Sequence, residues 1–331
     1  MTFDEIMELV PTLNILDSFI ITKNKFRRYT RIACYISGGS DSDIMIDILY
    51  RLGILNGITL VFFDTGLEYR ATKEHLEYLR TKYNVKIEVI KAIKPIPTCC
   101  RTYGQPFLSK QVSENISRLQ RHNFKWEDKS FDELLKEYPK CKSALKWWCN
   151  QHEKGKKGQE SKFNIAYNKY LKEFMIANPP THMISNKCCY YAKKLVAKKH
   201  KIEHDIDLSI TGVRKAEGGA RSTAYKNCFT SGEEKGVADE YRLLFWYTKD
   251  DKEAYEKTFN VTHSRCYTEY GLKRTGCAGC PYGRDFEQEL EIIQKYEPKL
   301  YKAVNNIFGD SYEYTRKYKQ FVEDIKNDSF L

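Results

Sequence analysis

The chain has 331 residues, 55 of them basic and 44 acidic, for a formal net charge of +11. That length can bury a full core and hold one large domain or two, and the basic balance suits an anionic partner such as a nucleotide, RNA or DNA. No run of about 18 apolar residues occurs, so no membrane span is expected. The opening lacks an export signal, which points to a cytoplasmic, reducing compartment where the 11 cysteines bind metal or do chemistry rather than form bridges.

In chain order, residues 1–28 read as helical. From Arg31 to about Lys91 the pattern alternates, with strands at 32–36, 58–63 and 85–90 separated by helices near 42–52 and 70–83. Strands spaced by helix-length segments imply an α/β fold with a parallel, Rossmann-like sheet, whose ligands sit beyond the carboxyl ends of the strands. Residues 1–94 are therefore expected to form the first half of a nucleotide-binding domain. Residues 95–180 break the rhythm with Pro95, Pro97, Pro106 and Pro139, the aromatics Trp126, Trp147 and Trp148, and a Lys/Gly-rich patch near 153–162. They read as a mostly helical insertion with a loop. Residues 181–331 complete the nucleotide domain, with a fourth strand at Asp207–Ile210, a cysteine-rich turn and a helical part from about 240 to the end.

Ser37-Gly38-Gly39-Ser40-Asp41-Ser42 follows the first strand and precedes an amphipathic helix. Two glycines allow a sharp bend whose N–H groups face an anion, the helix N-terminus adds partial positive charge, and Ser37 and Ser42 offer hydroxyls. A serine-rich N-cap is the plainer reading. The segment resembles the PP-loop (SGGxDS) of enzymes that cleave ATP between its α and β phosphates, and it lacks the GK[ST] ending of a Walker loop.

Asp64-Thr65-Gly66, at the second strand's end, can hold a ribose, a base edge or a magnesium ion, or can simply end a strand. The run FFDTGxEyxxT, through Thr72, is similar to the second motif of the phosphoadenosine phosphosulfate (PAPS) reductase family. Thr211-Gly212-Val213-Arg214, continuing to Arg221, places guanidinium groups after a strand, where they suit phosphate or sulfate. It resembles the family's TG[LV]R[RK]xExxxR run, which implies that Arg214 and Arg221 hold the substrate's anionic end.

Cys188-Cys189 and Cys277-Ala278-Gly279-Cys280 offer four thiolates for zinc or an iron–sulfur cube, with Cys228 and Cys266 in reserve. Adjacent cysteines reach two irons of a cubane more easily than one zinc. The pattern resembles the CC…CxxC signature of the family's iron–sulfur branch, which implies a 4Fe-4S cluster faced by Lys193; Val196 stands where the family often has proline. At helical spacing Cys189 and Lys193 share a face. The segment Tyr103–Lys110 is a further stretch similar to ones near the family's nucleotide pocket, and Ser109 in it equally fits a helix N-cap.

The resemblance runs from about Arg31 to Gly283, interrupted by the insertion. Sulfonucleotide reductases use a cysteine near the C-terminus and tend to have a degraded loop, whereas here no cysteine follows Cys280 and SGGxDS is intact. The resemblance therefore implies a sheet of the adenine nucleotide α-hydrolase type and ATP as substrate. Ser37, Gly38, Gly39, Ser40, Ser42, Thr65 and Gly66 would bind the nucleotide, and Asp41 and Asp64 would hold Mg2+. Arg214 and Lys193 would join them in catalysis. The reaction implied is adenylation of an acceptor for sulfur transfer, as in DNA phosphorothioation and RNA thiolation, with a nucleic acid or a sulfur-donor protein as partner. Two rivals stay open: a sulfonucleotide reductase using an internal or partner thiol, and a nucleotide-binding regulator with a structural metal.

Overall fold

The computed structural model describes residues 2–155, 157–218, 224–232 and 237–328. In chain order the principal helices are α1 (Phe3–Leu9), α2 (Leu13–Phe26), α3 (Ser40–Arg51), α4 (Arg70–Tyr83), α5 (Ile96–Tyr103), α6 (Lys110–Gln120), α7 (Phe131–Glu137), α8 (Lys142–Trp148) and α9 (Leu171–Ala177). They continue with α10 (Lys187–Cys189), α11 (Leu195–Glu203), α12 (Lys249–Phe259), α13 (Arg265–Thr268), α14 (Phe286–Tyr296) and α15 (Pro298–Asp328). The strands are β1 (Ile32–Ile36), β2 (Ile58–Asp64), β3 (Ile87–Lys91), β4 (Leu208–Thr211), β5 (Phe229–Thr230) and β6 (Asp239–Arg242).

Two compact units result, one of residues 1–93 and 192–278, the other of residues 94–191 and 279–331. The first holds the whole sheet, in the order β3-β2-β1-β4-β6-β5, parallel except where β5 pairs antiparallel with β6. The expected α/β architecture is present. Period-two alternation sorts β1 between the two faces of the sheet. Ile32, Cys34 and Ile36 join the large core with Phe19 of α2, Ile44 and Ile48 of α3, Leu76 of α4 and Tyr255 of α12. Ala33 and Tyr35 face the other way, where the Tyr35 hydroxyl lies 3.0 Å from His200 Nδ1 on α11. One buried carboxylate in this core is well satisfied: Asp47 accepts from Tyr83 (3.0 Å) and Tyr255 (2.8 Å) and pairs with Arg51 (2.5 Å).

Strand β6 departs from the sequence expectation. The segment from about 240 was expected to be helical, yet β6 pairs with β4, with Thr211 opposite Arg242. Asp-Glu-Tyr-Arg carries no apolar run, but Tyr241 is buried in the core. Buried Arg242 is held by Thr230 Oγ1, the Asn227 carbonyl and Glu240, and stacks on Tyr225.

The second unit has its own core, in which Phe107, Leu119, Trp147, Trp148, Phe174 and Tyr314 pack together. The tryptophans of the insertion are 9% (Trp126), 1% (Trp147) and 0% (Trp148) exposed, so they are core rather than base-stacking surface. Ser109 caps α6, its hydroxyl accepting from the Val112 amide at 3.2 Å.

Candidate functional site

Strand order places the site. The chain winds from β1 to β2 and β3 on one side, then crosses to β4 on the other, so β1 and β4 flank the point where the order reverses. Tyr35 pairs with Thr211 and Ile36 with Phe62, which sets residues 37–42, Asp64 and Gly212–Arg214 at neighbouring strand ends.

The loop turns at Gly38, where φ is +65° and an added Cβ would stand 2.7 Å from the Thr72 methyl. An added Cβ on Gly39 would stand 2.9 Å from Thr275 Oγ1 and 3.0 Å from the Tyr267 hydroxyl. The Gly39 carbonyl accepts from the Ser42 (2.8 Å) and Asp43 (3.2 Å) amides. The helix therefore starts at Ser40, two residues before the position the sequence suggests. Ser37 and Ser42 brace the loop: the Ser37 amide donates to Ser42 Oγ at 2.9 Å, and the two hydroxyls lie 3.2 Å apart. The Ser40 amide donates to the Tyr267 hydroxyl at 3.2 Å. Among the described residues, no protein acceptor takes the amides of Gly38 and Gly39.

Asp41 is the charge centre. Its Oδ1 lies 3.1 Å from Arg214 Nε and 3.0 Å from Lys252 Nζ, and the Lys252 ammonium also donates to Ser40 Oγ. Asp41 Oδ1 is buried yet accepts no well-aligned hydrogen bond, so these are charge contacts. Gly212 gives α3 room at this point: an added Cβ would lie 3.4 Å from Asp41 Cβ and 3.2 Å from Met45 Cε. Beneath the loop, buried Asp43 joins His75 Nε2 (2.8 Å) and His263 Nδ1 (2.8 Å), and His263 Nε2 lies 3.0 Å from Glu256. Burial opposes charge on His263, but the Asp43 and Glu256 carboxylates outweigh it and lift its pKa to about 9.

At the end of β2, the Gly66 amide donates to Asp64 Oδ1 at 2.9 Å. Glu68 accepts from the Thr65 amide (2.9 Å) and hydroxyl (2.6 Å). A hydrogen bond with Glu68 pulls the Asp64 pKa down, while burial and that same bond push Glu68 up.

Of the residues singled out by sequence, Ser37 to Ser42, Asp64 to Gly66 and Arg214 all lie at these strand ends. Arg221 lies outside the described residues. Lys193 sits in a π-helical turn, Tyr190–Lys194, which changes the α-helical phase on which a shared face with Cys189 was argued. Lys252, Tyr267, Thr275, His75 and His263 were missed. They carry no local motif and reach the loop from α4, α12 and the 263–275 segment.

The thiols divide between the units. Cys277 belongs to the first unit, with its Sγ 3.5 Å from Thr65 Oγ1. The reserve thiols are also there: Cys266 Sγ is 3.6 Å from Thr72 Oγ1, and Cys228 is half-buried beside β5. Cys188, Cys189 and Cys280 belong to the second unit. In that unit Gly104 lies so close to residue 183 that an added Cβ would stand 2.2 Å from the Met183 carbonyl oxygen. The Gln105 amide donates to Met183 O (2.8 Å) and the Ser185 amide to Gln105 O (2.9 Å). This ties the end of α5, with Cys99 and Cys100, to the start of α10. The Cys188 thiol hydrogen-bonds Cys100, which with burial holds its pKa far above the usual thiol range, and Cys280 is near it. The buried Tyr282 hydroxyl lacks a well-aligned partner among Ser113 and the Cys188, Cys189 and Cys280 thiols. Among the described residues, no group of three or more His, Cys, Asp or Glu side chains is arranged to hold a metal ion. The donor chemistry in the second unit, several thiols and one orphaned hydroxyl, still suits a soft metal or cluster.

Among the described residues no helix is long and apolar enough to cross a membrane. No curated protein matches the sequence. Solved structures similar to the chain include PAPS reductase from Candida auris in a phosphate complex (12% identity, 84% of this chain and 96% of that one, TM-score 0.44). Another is the U34-tRNA thiolase NcsA from Methanococcus maripaludis with its [4Fe-4S] cluster (14% identity, 93% and 80%, TM-score 0.36). A third is the NH3-dependent NAD synthetase from Campylobacter jejuni in complex with nitrate (12%, 95% and 96%, TM-score 0.36). Residues 31–147, which include the loop, Asp64 and Thr72, match the family model of the phosphoadenosine phosphosulfate reductase domain.

Proposed function

We propose that the chain cleaves ATP between its α and β phosphates, giving pyrophosphate and an adenylated acceptor. The observation that carries this reading is the pair of Gly38 and Gly39 amides, which no acceptor among the described residues takes, at a positive-φ bend on the N-terminus of α3. Arg214 beside them offers a guanidinium for phosphate oxygens. An acceptor oxygen attacks the α-phosphorus, the bond to the bridging oxygen breaks, and pyrophosphate leaves with the electron pair. The poorly hydrogen-bonded Asp41 Oδ1 fits a magnesium ion carried by the nucleotide, and Asp64 is the second carboxylate available. A sulfur nucleophile then displaces AMP from the acceptor, a nucleic acid or a small molecule, as the family likeness implies.

The thiols of the second unit fit a 4Fe-4S cluster, for which Cys188, Cys189 and Cys280 would be ligands, better than zinc. Such a cluster supplies iron able to bind sulfide. No step above passes through it.

Anaerobic protein incubated with magnesium and α-labelled ATP, with and without tRNA or DNA, tests the reading. Labelled AMP with an equal yield of pyrophosphate, and exchange of labelled pyrophosphate into ATP, are expected. ADP as product, or sulfite released from adenylyl sulfate without any use of ATP, overturns it.

A further inference from the structure

Lys252 reaches the loop from a helix that no sequence motif marks. The start of α12 is firmly placed: Thr248 and Asp251 form a capping box, and Asp251 also accepts from Thr12 Oγ1 (2.6 Å) and Asn14 Nδ2 (2.8 Å) of the segment that begins α2. One turn in, the largely buried Lys252 side chain delivers its ammonium to Ser40 Oγ and Asp41 Oδ1.

An ammonium has three N–H donors. One is used here, on Ser40, while the contact with Asp41 Oδ1 is ionic, since that oxygen accepts no well-aligned hydrogen bond. The nearest remaining carboxylate, Glu256, stands 3.8 Å away, beyond hydrogen-bond reach, and is committed to His263 at 3.0 Å. Arg214 shares the same Asp41 oxygen, so one carboxylate faces two cations at about 3 Å. This leaves two cations on one carboxylate oxygen and unused N–H donors on the ammonium, at the residues that follow Gly38 and Gly39. A magnesium ion drawn to Asp41 would compete with both cations for that oxygen and free them for phosphate. A lone structural counter-ion for Asp41 needs neither feature, since Arg214 already fills that role.

We propose that Lys252 binds the outer phosphates of the nucleotide and the leaving pyrophosphate. This rests on the pyrophosphatase reading of the loop and adds to it a phosphate ligand outside the loop, on α12. Lys252 offers its charge to the β and γ phosphates while Arg214 remains on Asp41 or turns to the α-phosphate. The ligand class is a polyphosphate chain; a monophosphate offers too little charge to draw the ammonium from Asp41.

Calorimetry of the full chain with magnesium pyrophosphate as the probe tests this, with ATP as a second probe. Removing one charge-assisted contact should weaken pyrophosphate binding by about 10- to 100-fold in Lys252→Met and Lys252→Gln, with Lys252→Arg restoring most of it. The loss should shrink as salt is raised, because the contact is ionic. Thermal melting identifies folded variants, and if the methionine variant does not fold, the glutamine variant decides. Folded Lys252→Met or Lys252→Gln protein that binds pyrophosphate as wild type does overturns the role of Lys252 and leaves the loop reading standing. Wild-type protein that binds neither pyrophosphate nor ATP overturns both.

Discussion

The loop at residues 37–42 and the thiol-bearing segments of the second unit are built on opposite principles. The loop stays open because glycine at 38 and 39 keeps side chains out, and because charges from distant segments converge on one carboxylate. The thiols are held by burial and by each other: Cys99, Cys100 and Cys188 are all buried, and the Cys188 thiol hydrogen-bonds Cys100. A polar site at strand ends is therefore sensitive to charge and backbone shape, while the thiol region is sensitive to packing.

Substitutions can break or sharpen that contrast. The largest effect should come from Trp147→Ala, which opens a cavity in the second unit's core where the ring is 1% exposed; a loss of about 3–5 kcal/mol is expected in denaturant unfolding. Next is the charge network under the loop. The His263 pKa is raised from 6.5 to about 9, so its stabilising contribution is complete below about pH 6.5 and is lost as pH rises through about 9. Stability should fall over that window by about 2–3 kcal/mol, and His263→Gln should flatten the profile. Gly38→Ala should cost about 1–3 kcal/mol by forcing a side chain into a left-handed position against Thr72, and should abolish ATP binding measured by calorimetry. The smallest effect is Ser109→Ala, a lost helix cap worth about 1 kcal/mol. It should leave ATP binding unchanged; a change there would place the 103–110 segment in the site.

What could be read from sequence follows from where the determinants lie. β1 to β3 and their helices announced themselves through apolar periodicity, and the loop through contiguous residues with a fixed backbone demand. β6 did not, because its stability is tertiary: Tyr241 packs in the core and Arg242 is satisfied by partners that local pattern cannot reveal. Lys252 and His263 were equally silent, since the loop acids they reach, Asp41 and Asp43, stand more than 200 positions away. The tryptophans of the insertion carried an ambiguous signal, and burial resolved it in favour of packing.

The close approach of Gly104 to Met183 bears on how any thiol chemistry could proceed. Because that contact is main chain against main chain and is latched by the two amide bonds of Gln105 and Ser185, α5 and α10 behave as one jaw of fixed gape. Oxidation or metal loading of Cys100 and Cys188 must then be accommodated by rotation about their Cα–Cβ bonds. A bulkier residue at 104 would pry the jaw apart and detune every sulfur it carries.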